Sequence, residues 1–298
     1  MIHPEGLPAA LTMLNRTLVM GILNVTPDSF SDGGLYLDHD AAVEHGLEMV
    51  RDGADLVDVG GESTRPGAEP VEVAEEARRV VGVVRDLVAE GVHVSIDTRH
   101  AEVARECMEA GAVLVNDVSS GRGDPAMWPF VASSSAPYVL MHNRGDGASR
   151  DDLSGYSDVV SEVAAELDVR GAEAVDSGIA WGRLILDPGI GFAKKAEHNW
   201  PLVDERALSA LVRGGAAGRR PVLLGASRKR FLGTQADGRP DPDDSMRHRD
   251  ELTVGITTSA AHAGVWCVRV HDVAPNADAV RQAGALASSG RHRDEEGG

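Results

Sequence analysis

Residues Met20 to Gly34 read MGILNVTPDSFSDGG, and the change of character halfway along this stretch decides the fold. Leu18 to Leu23 is a short apolar run of the length expected for a buried strand, and Asn24 closes it. Thr26-Pro27-Asp28-Ser29 and Ser31-Asp32-Gly33-Gly34 then supply turn chemistry rather than helix. A buried strand that delivers Asn24, Asp28 and Asp32 into an acidic, Gly-ended loop is suited to holding a cation or a polar ligand. Alone, such a stretch reads first as a hairpin or surface loop. The same design recurs seven more times.

The further apolar runs are Leu56 to Val59, Val92 to Ile96, Val113 to Val115, Tyr138 to Met141, Leu184 to Leu186, Val222 to Leu224 and Cys267 to Val270. Segments of helical periodicity separate most of them, among them Ala41 to Asp52, Val71 to Ala89, Ala101 to Ala110 and Asp158 to Ser177. Near-continuous Val/Ile/Leu runs alternating with helices are the mark of buried parallel strands in βαβ units. Eight such units in 298 residues predict an α/β fold, a single-domain (β/α)8 TIM barrel, in preference to an open doubly wound sheet. The expected organisation is a flexible N-terminus over 1–15, the barrel over 16–287 and a disordered tail over 288–298. The fourth connection, Asp124 to Ser135, is short for a full helix, and Arg144 to Gly155 and Gly233 to Arg249 read as inserted loops.

A formal charge of −18 argues against a nucleic acid or an anionic membrane as partner, since either would be repelled at long range. The N-terminal residues lack a basic region ahead of an apolar core, so no signal peptide is expected, and no apolar run reaches the ~18 residues of a spanning helix. Cys107 and Cys267 read as inert core thiols of a reducing compartment, which predicts a cytoplasmic protein.

In a (β/α)8 barrel the chemistry sits at the C-terminal strand ends. Those positions hold Asn24, Gly60 to Arg65, Asp97-Thr98, Asn116-Asp117, Met141-His142, Asp187-Pro188-Gly189, Ser227-Arg228-Lys229 and Arg269 to Asp272. One polar residue there is often only a helix cap; eight sets facing one mouth form a site. Asp97, Asn116 and Asp187 suit a planar heterocycle with amino and lactam groups, because a carboxylate pairs with an amidine-like edge. Arg65, Ser227, Lys229, Arg269 and His271 form a basic set in an acidic chain, and Arg269 and His271 alternate about Val270 on one side, about 6 to 7 Å apart, a spacing fit for phosphate or diphosphate. Lys194, Lys195, Arg228 and Arg230 read as solvated loop charges, and His45, His100, His198 and His262 as surface or packing residues of helices. No paired nucleophile, HExxH, GK[ST] P-loop or GxGxxG is present. A site without a nucleophile fits catalysis by positioning and leaving-group stabilisation.

MGILNVTPDSFSDGG, DVGGESTRPGA, VSIDT, VNDVS, DPGIGFAK, GASRKRFLG and VRVHDV resemble, in order, the successive motifs of the dihydropteroate synthase family, from about residue 16 to 285. The resemblance implies a (β/α)8 barrel that condenses 6-hydroxymethyl-7,8-dihydropterin diphosphate with p-aminobenzoate, releasing diphosphate, in folate synthesis. It implies pterin binding by Asp97, Asn116, Asp187 and Lys229, with Met141 and Phe192 lining that pocket. It places diphosphate on Asn24, Arg269 and His271, and Mg²⁺ on Asn24. Phe30, Thr64, Arg65, Pro66 and Ser227 match the loops that close over p-aminobenzoate, which makes the chain a sulfonamide target. The implied catalytic set is Asn24, Lys229, Arg269 and His271, acting on a stepwise, dissociative path. The family's dimer habit implies a homodimer, for which the small-residue helix Val254 to Gly264 offers a close interface. Two departures stand out: Ser119-Ser120-Gly121-Arg122 where the pattern calls for Gly-Gly after NDVS, and Asn143 where a bulkier residue often follows His142. A methyltetrahydrofolate-binding methyltransferase barrel shares the pterin carboxylates but has no need of STRPG, SRK and RVHD together. A catalytically weak pterin-binding paralogue would not need the intact set Asn24, Arg65, Lys229 and Arg269.

Overall fold

Eight parallel strands form one sheet: β1 (Leu18–Asn24), β2 (Leu56–Gly60), β3 (Val94–Asp97), β4 (Leu114–Asp117), β5 (Tyr138–Met141), β6 (Leu184–Asp187), β7 (Leu223–Leu224) and β8 (Cys267–Val270). The computed structural model describes residues 1–26, 35–63, 70–145, 155–214 and 218–295. The strands follow the order 6-5-4-3-2-1-8-7. A single parallel bridge between Leu186 and Val222 draws β6 and β7 together, so that the sheet comes round to a nearly closed barrel. The predicted (β/α)8 TIM barrel is the fold observed.

The helices are α1 (Ala9–Thr12), α2 (Leu35–Arg51), α3 (Val73–Ala89), α4 (Ala101–Glu109), α5 (Met127–Ser133), α6 (Val159–Asp176), α7 (Ala196–Leu202), α8 (Glu205–Arg213), α9 (Met246–Ala263) and α10 (Val273–Glu295). The fourth connection carries only the seven-residue α5, as its short length predicts. Asp158, read as helical, is the N-cap of α6 instead: its carboxylate accepts from the Ser161 amide, and Ser177 is the C-cap. The 233–249 insertion holds an antiparallel bridge from Thr234 to Pro240 and then starts α9, which Ser245 caps.

Alternation along each strand divides the interior in two. Val19, Leu23, Val57, Val59, Ile96, Val115, Leu140, Leu186, Val268 and Val270 point outward and pack with helix residues such as Val80, Val83, Val84 and Leu87. The opposite parity points into the barrel, where Leu18, Met20, Leu56, Leu114, Val139, Ile185, Leu223 and Cys267 fill the lower layers with Trp266 and Leu11. Residues 1–15, expected to be flexible, lie across this floor. Leu11 is buried, Trp266 Nε1 donates to His3 Nδ1 (3.3 Å) and the Glu5 amide donates to Gly182 O (2.8 Å). Burial of apolar side chains outweighs the usual fraying of a chain end here. At the other end α10 continues to Glu295, past the expected start of a tail at 288. Cys107 and Cys267 are buried and unpaired, and burial pushes the Cys107 thiol up to about 12. Among the described residues no helix is long and apolar enough to cross a membrane.

Candidate functional site

The parity that fills the floor with apolar side chains carries polar ones to the mouth. Asn24 lies beside Gly60, Gly60 beside Asp97 and Asp97 beside Asn116 across β1 to β4, one row at the strand ends. Met141 pairs with Asp187 on the far wall. Asp97, Asn116 and Asp187 therefore share one mouth, as predicted from their strand-end positions, with Met141 and Phe192 buried beside them.

The centre of this mouth is ionic. The Arg269 guanidinium donates through Nε to Asp58 Oδ2 and through Nη2 to Asp97 Oδ2, both at 2.6 Å. Asp58 Oδ2 also accepts from Asn116 Nδ2 (2.9 Å), and its Oδ1 is buried without a partner among the described residues. Burial pushes the Asp97 carboxyl up while Arg269 pulls it down. Burial works against charge on Arg269 as well, yet Asp58 and Asp97 hold it protonated. Arg269, read as part of an anion site with His271, thus directs two of its five N–H donors to two carboxylates. His271 meets Ser227 instead: Ser227 Oγ lies 3.0 Å from His271 Nδ1 and accepts from the His271 amide at 3.1 Å.

The second half of the pocket is the turn after β6. Asp187 Oδ1 accepts from the Gly189 amide (2.6 Å), and Gly189 takes a positive φ of 66°. A Cβ there would stand 1.9 Å from His142 O, so only glycine fits. Lys229 donates to Ile190 O and lies 4.7 Å above the Phe192 ring. Burial lowers the Lys229 ammonium to about 8, with Asp187 opposing.

Lys194 corrects the sequence reading. It is not a solvated loop charge but a buried residue, 6% exposed, whose Nζ donates to His142 Nδ1 (2.8 Å), Gly189 O (3.0 Å) and Phe192 O (3.1 Å). Three acceptors take all three ammonium protons, although burial draws its pKa down to about 7. With Nδ1 accepting, His142 is the neutral tautomer whose Nε2 donates to Glu166 Oε2 (2.9 Å), and burial with Lys194 keeps its pKa near 3. Arg144 also pairs with Glu166. Asn199 completes the brace, accepting from the Gly191 amide and donating to the carbonyls of Lys194 and Lys195. Lys195 is exposed, as read, and Arg228 pairs with Asp250.

The two departures from the family pattern are accommodated locally. Ser120 adopts the positive φ (53°) that a glycine takes readily, and its buried Oγ bonds both the amide and the carbonyl of Met141 (2.7 Å each). Arg122 donates to Asn143 O (2.9 Å), so the two variant segments brace each other.

Asn24 ends β1 half-buried at the mouth and offers a neutral amide oxygen, a hard donor of the class Mg²⁺ takes. Mg²⁺ is commonly held through one or two protein groups plus substrate phosphates, so this donor fits it. Among the described residues Glu62, Glu76 and His100 also bring ligand atoms within 4.8 Å of one another. Their charges are already matched: Arg99 pairs with Glu62, and the Glu76 hydrogen bond raises the proton affinity of His100, which is the N-cap of α4 rather than a helical residue.

Phe30, Thr64, Arg65 and Pro66 lie outside the described residues. Sequence reasoning missed Asp58, Lys194 and the His142–Glu166 pair. The signals for Asp58 were a lone charge inside the apolar run Leu56 to Val59 and its place at the head of the motif DVGGESTRPGA.

The family model described as pterin binding enzyme matches residues 20–271. The dihydropteroate synthase of Mycobacterium leprae is 51% identical over 276 residues, covering 91% of this chain and 94% of that protein. The mitochondrial folate synthesis bifunctional protein of Pisum sativum is 40% identical over 302 residues, which are 96% of this chain but 58% of the longer protein. Among solved structures, Xanthomonas albilineans dihydropteroate synthase with 4-aminobenzoic acid superposes with a TM-score of 0.82 at 42% identity, over 96% of this chain and 99% of that one.

Proposed function

Because the chain belongs to the dihydropteroate synthase family of pterin-binding enzymes, we propose that it condenses 6-hydroxymethyl-7,8-dihydropterin diphosphate with p-aminobenzoate to give 7,8-dihydropteroate and diphosphate in folate synthesis. The observation that carries this reading is the pairing, at one barrel mouth, of three polar readers, Asn116 and Asp187 buried and Asp97 half-buried, with two half-buried cations. Asp97, Asn116 and Asp187 ring the space beside Lys229 and Arg269.

In this reading Asp97, Asn116 and Asp187 grip the amino and lactam edge of the pterin, with Met141 and Phe192 against its faces. A pterin on Asp97 competes with Arg269 for the same carboxylate and so frees a guanidinium end for the diphosphate. Lys229, Arg269 and His271 then meet charge that grows on the leaving group, the form of stabilisation that acts in the transition state. Asn24 would hold Mg²⁺, which would supply neutralisation of diphosphate charge. Departure leaves a cation at the exocyclic methylene carbon, which the arylamine attacks. The loops bearing Phe30, Thr64, Arg65 and Pro66, together with Ser227, hold p-aminobenzoate and exclude water that would otherwise hydrolyse the intermediate. Sulfonamides present a similar aminophenyl group and compete with p-aminobenzoate for this place.

The reading extends to a homodimer in the cytoplasm. The two buried free thiols support the compartment. The outer face of α9 supports the dimer, since Gly255 has open space where a side chain would stand; light scattering after gel filtration tests it. The main test is a direct assay of purified protein with dihydropterin diphosphate, p-aminobenzoate and Mg²⁺. Dihydropteroate forms if the reading holds; pterin binding without product would leave the weak paralogue as the better description.

A further inference from the structure

We infer that Asp58 is a positioning residue for this reaction, fixing from beneath the pocket both what Asn116 shows the pterin and where Arg269 stands. The inference rests on the function proposed above. Asp58 sits two residues before Gly60 on the inward side of β2 and is fully buried. Its Oδ2 receives Asn116 Nδ2 at 2.9 Å and Arg269 Nε at 2.6 Å, so one oxygen ties the base-reading wall to the leaving-group cation.

The consequence for Asn116 is chemical. An ionised carboxylate only accepts hydrogen bonds, so the carboxamide must turn its NH₂ towards Asp58. The acceptor Oδ1 and the second N–H of the amide remain for a ligand, with Oδ1 held on the side away from Asp58. Asn116 is thereby preset to present Oδ1 to a ring N–H or amino group of the pterin at that point. The consequence for Arg269 is mechanical. Its Nη2 rests on Asp97, the carboxylate the pterin must take, while its Nε rests on Asp58, which the pterin does not reach in this reading. When the substrate claims Asp97, Asp58 remains as the pivot that keeps the cation charged and in the barrel.

The test uses Asp58→Asn, which preserves shape and removes the charge. An amide at position 58 no longer dictates the orientation of Asn116, and its neutral oxygen is a weaker partner for Arg269. Affinity for 6-hydroxymethylpterin, measured by titration calorimetry on the intact chain, should fall ~10-fold or more, the size of one lost or reversed buried hydrogen bond. The exchanged pair, Asp58→Asn with Asn116→Asp, restores an NH₂ facing a carboxylate and again leaves an acceptor for the pterin. Its pterin affinity should recover at least ~10-fold over the single variant, while turnover stays low because Arg269 has lost its charged pivot. A merely structural Asp58 predicts the opposite, a double variant no better than the single one. Near-native affinity in Asp58→Asn, or no recovery on exchange, overturns the inference. Should Asp58→Asn fold poorly, the exchanged pair alone decides: affinity within ~10-fold of the native protein supports the proposal, and a larger loss sinks it. If the native protein itself fails to bind 6-hydroxymethylpterin, the functional reading fails rather than this one.

Discussion

Replacing Lys194 with Met tests the brace under the pterin pocket, because Met keeps the buried volume and deletes three donors. Gly189 O, Phe192 O and His142 Nδ1 then lose a partner at 3.0, 3.1 and 2.8 Å. A buried acceptor left unpaired costs ~1–3 kcal/mol, so the gross loss is ~3–9 kcal/mol. Against this, the lowering of the Lys194 ammonium from 10.5 to about 7 means the folded chain already bears a burial penalty that Met removes, ~5 kcal/mol at 1.36 per unit. The two largely offset, leaving a net change between a gain of ~2 and a loss of ~4 kcal/mol, centred on a loss of ~1 kcal/mol. Local order suffers more, since the 187–193 turn carries Asp187, Phe192 and the Ile190 carbonyl that anchors Lys229. A loss of ~1.4 kcal/mol in pterin binding is tenfold, so the pterin KM should rise ~10-fold or more with kcat less affected. Steady-state kinetics with pterin diphosphate varied at saturating p-aminobenzoate reads this, with the exposed Lys195→Met as control. A native pterin KM in Lys194→Met, or the same effect in Lys195→Met, would refute the reasoning.

Asp97→Asn should raise the pterin KM ~10- to 150-fold, whereas Arg269→Ala should lower kcat ~100-fold; because the two share a 2.6 Å ion pair, the double variant should cost less than the sum, and strict additivity would contradict that pairing. His142 has a folded pKa near 3 against 6.5 unfolded, so between those values the unfolded chain binds the extra proton and stability falls as pH falls. The slope is up to ~1.4 kcal/mol per pH unit, and His142→Gln should flatten it in urea melts at pH 6 and 4.5. Chelation of Mg²⁺ should suppress turnover reversibly, and Asn24→Ala should raise the Mg²⁺ concentration giving half-maximal rate; an unchanged requirement would remove Asn24 from the metal site.

The barrel was legible because each strand is a near-continuous apolar run, and a two-residue alternation needs no tertiary knowledge to place Asp97, Asn116 and Asp187 at one mouth. What stayed hidden depends on contacts far along the chain. Lys194 beside Lys195 looks like paired loop charge, and only His142, 52 residues away, shows that one of them is inside. Asp58 was visible as an oddity but its partners Asn116 and Arg269 lie 58 and 211 residues off. Ser120 defeats pattern reading for another reason: nothing in the chain announces a serine at positive φ until its Oγ is seen bonding Met141. The floor was misjudged because terminal residues usually fray, while Leu11 and Trp266 give this end something to bury.

That floor also governs how the barrel can be joined to other proteins. Residues 1–15 seal the end opposite the mouth, and α10, running back from β8 for 23 residues or about 34 Å, finishes on that same remote side. Both attachment points therefore hang from the face that does no chemistry. A second catalytic unit fused at either one would hang below the barrel and leave the substrate entrance clear. The pea relative, of whose length this chain covers 58%, has room for such an arrangement. Grafting a module onto a strand-end loop instead would put it in the path of the substrates.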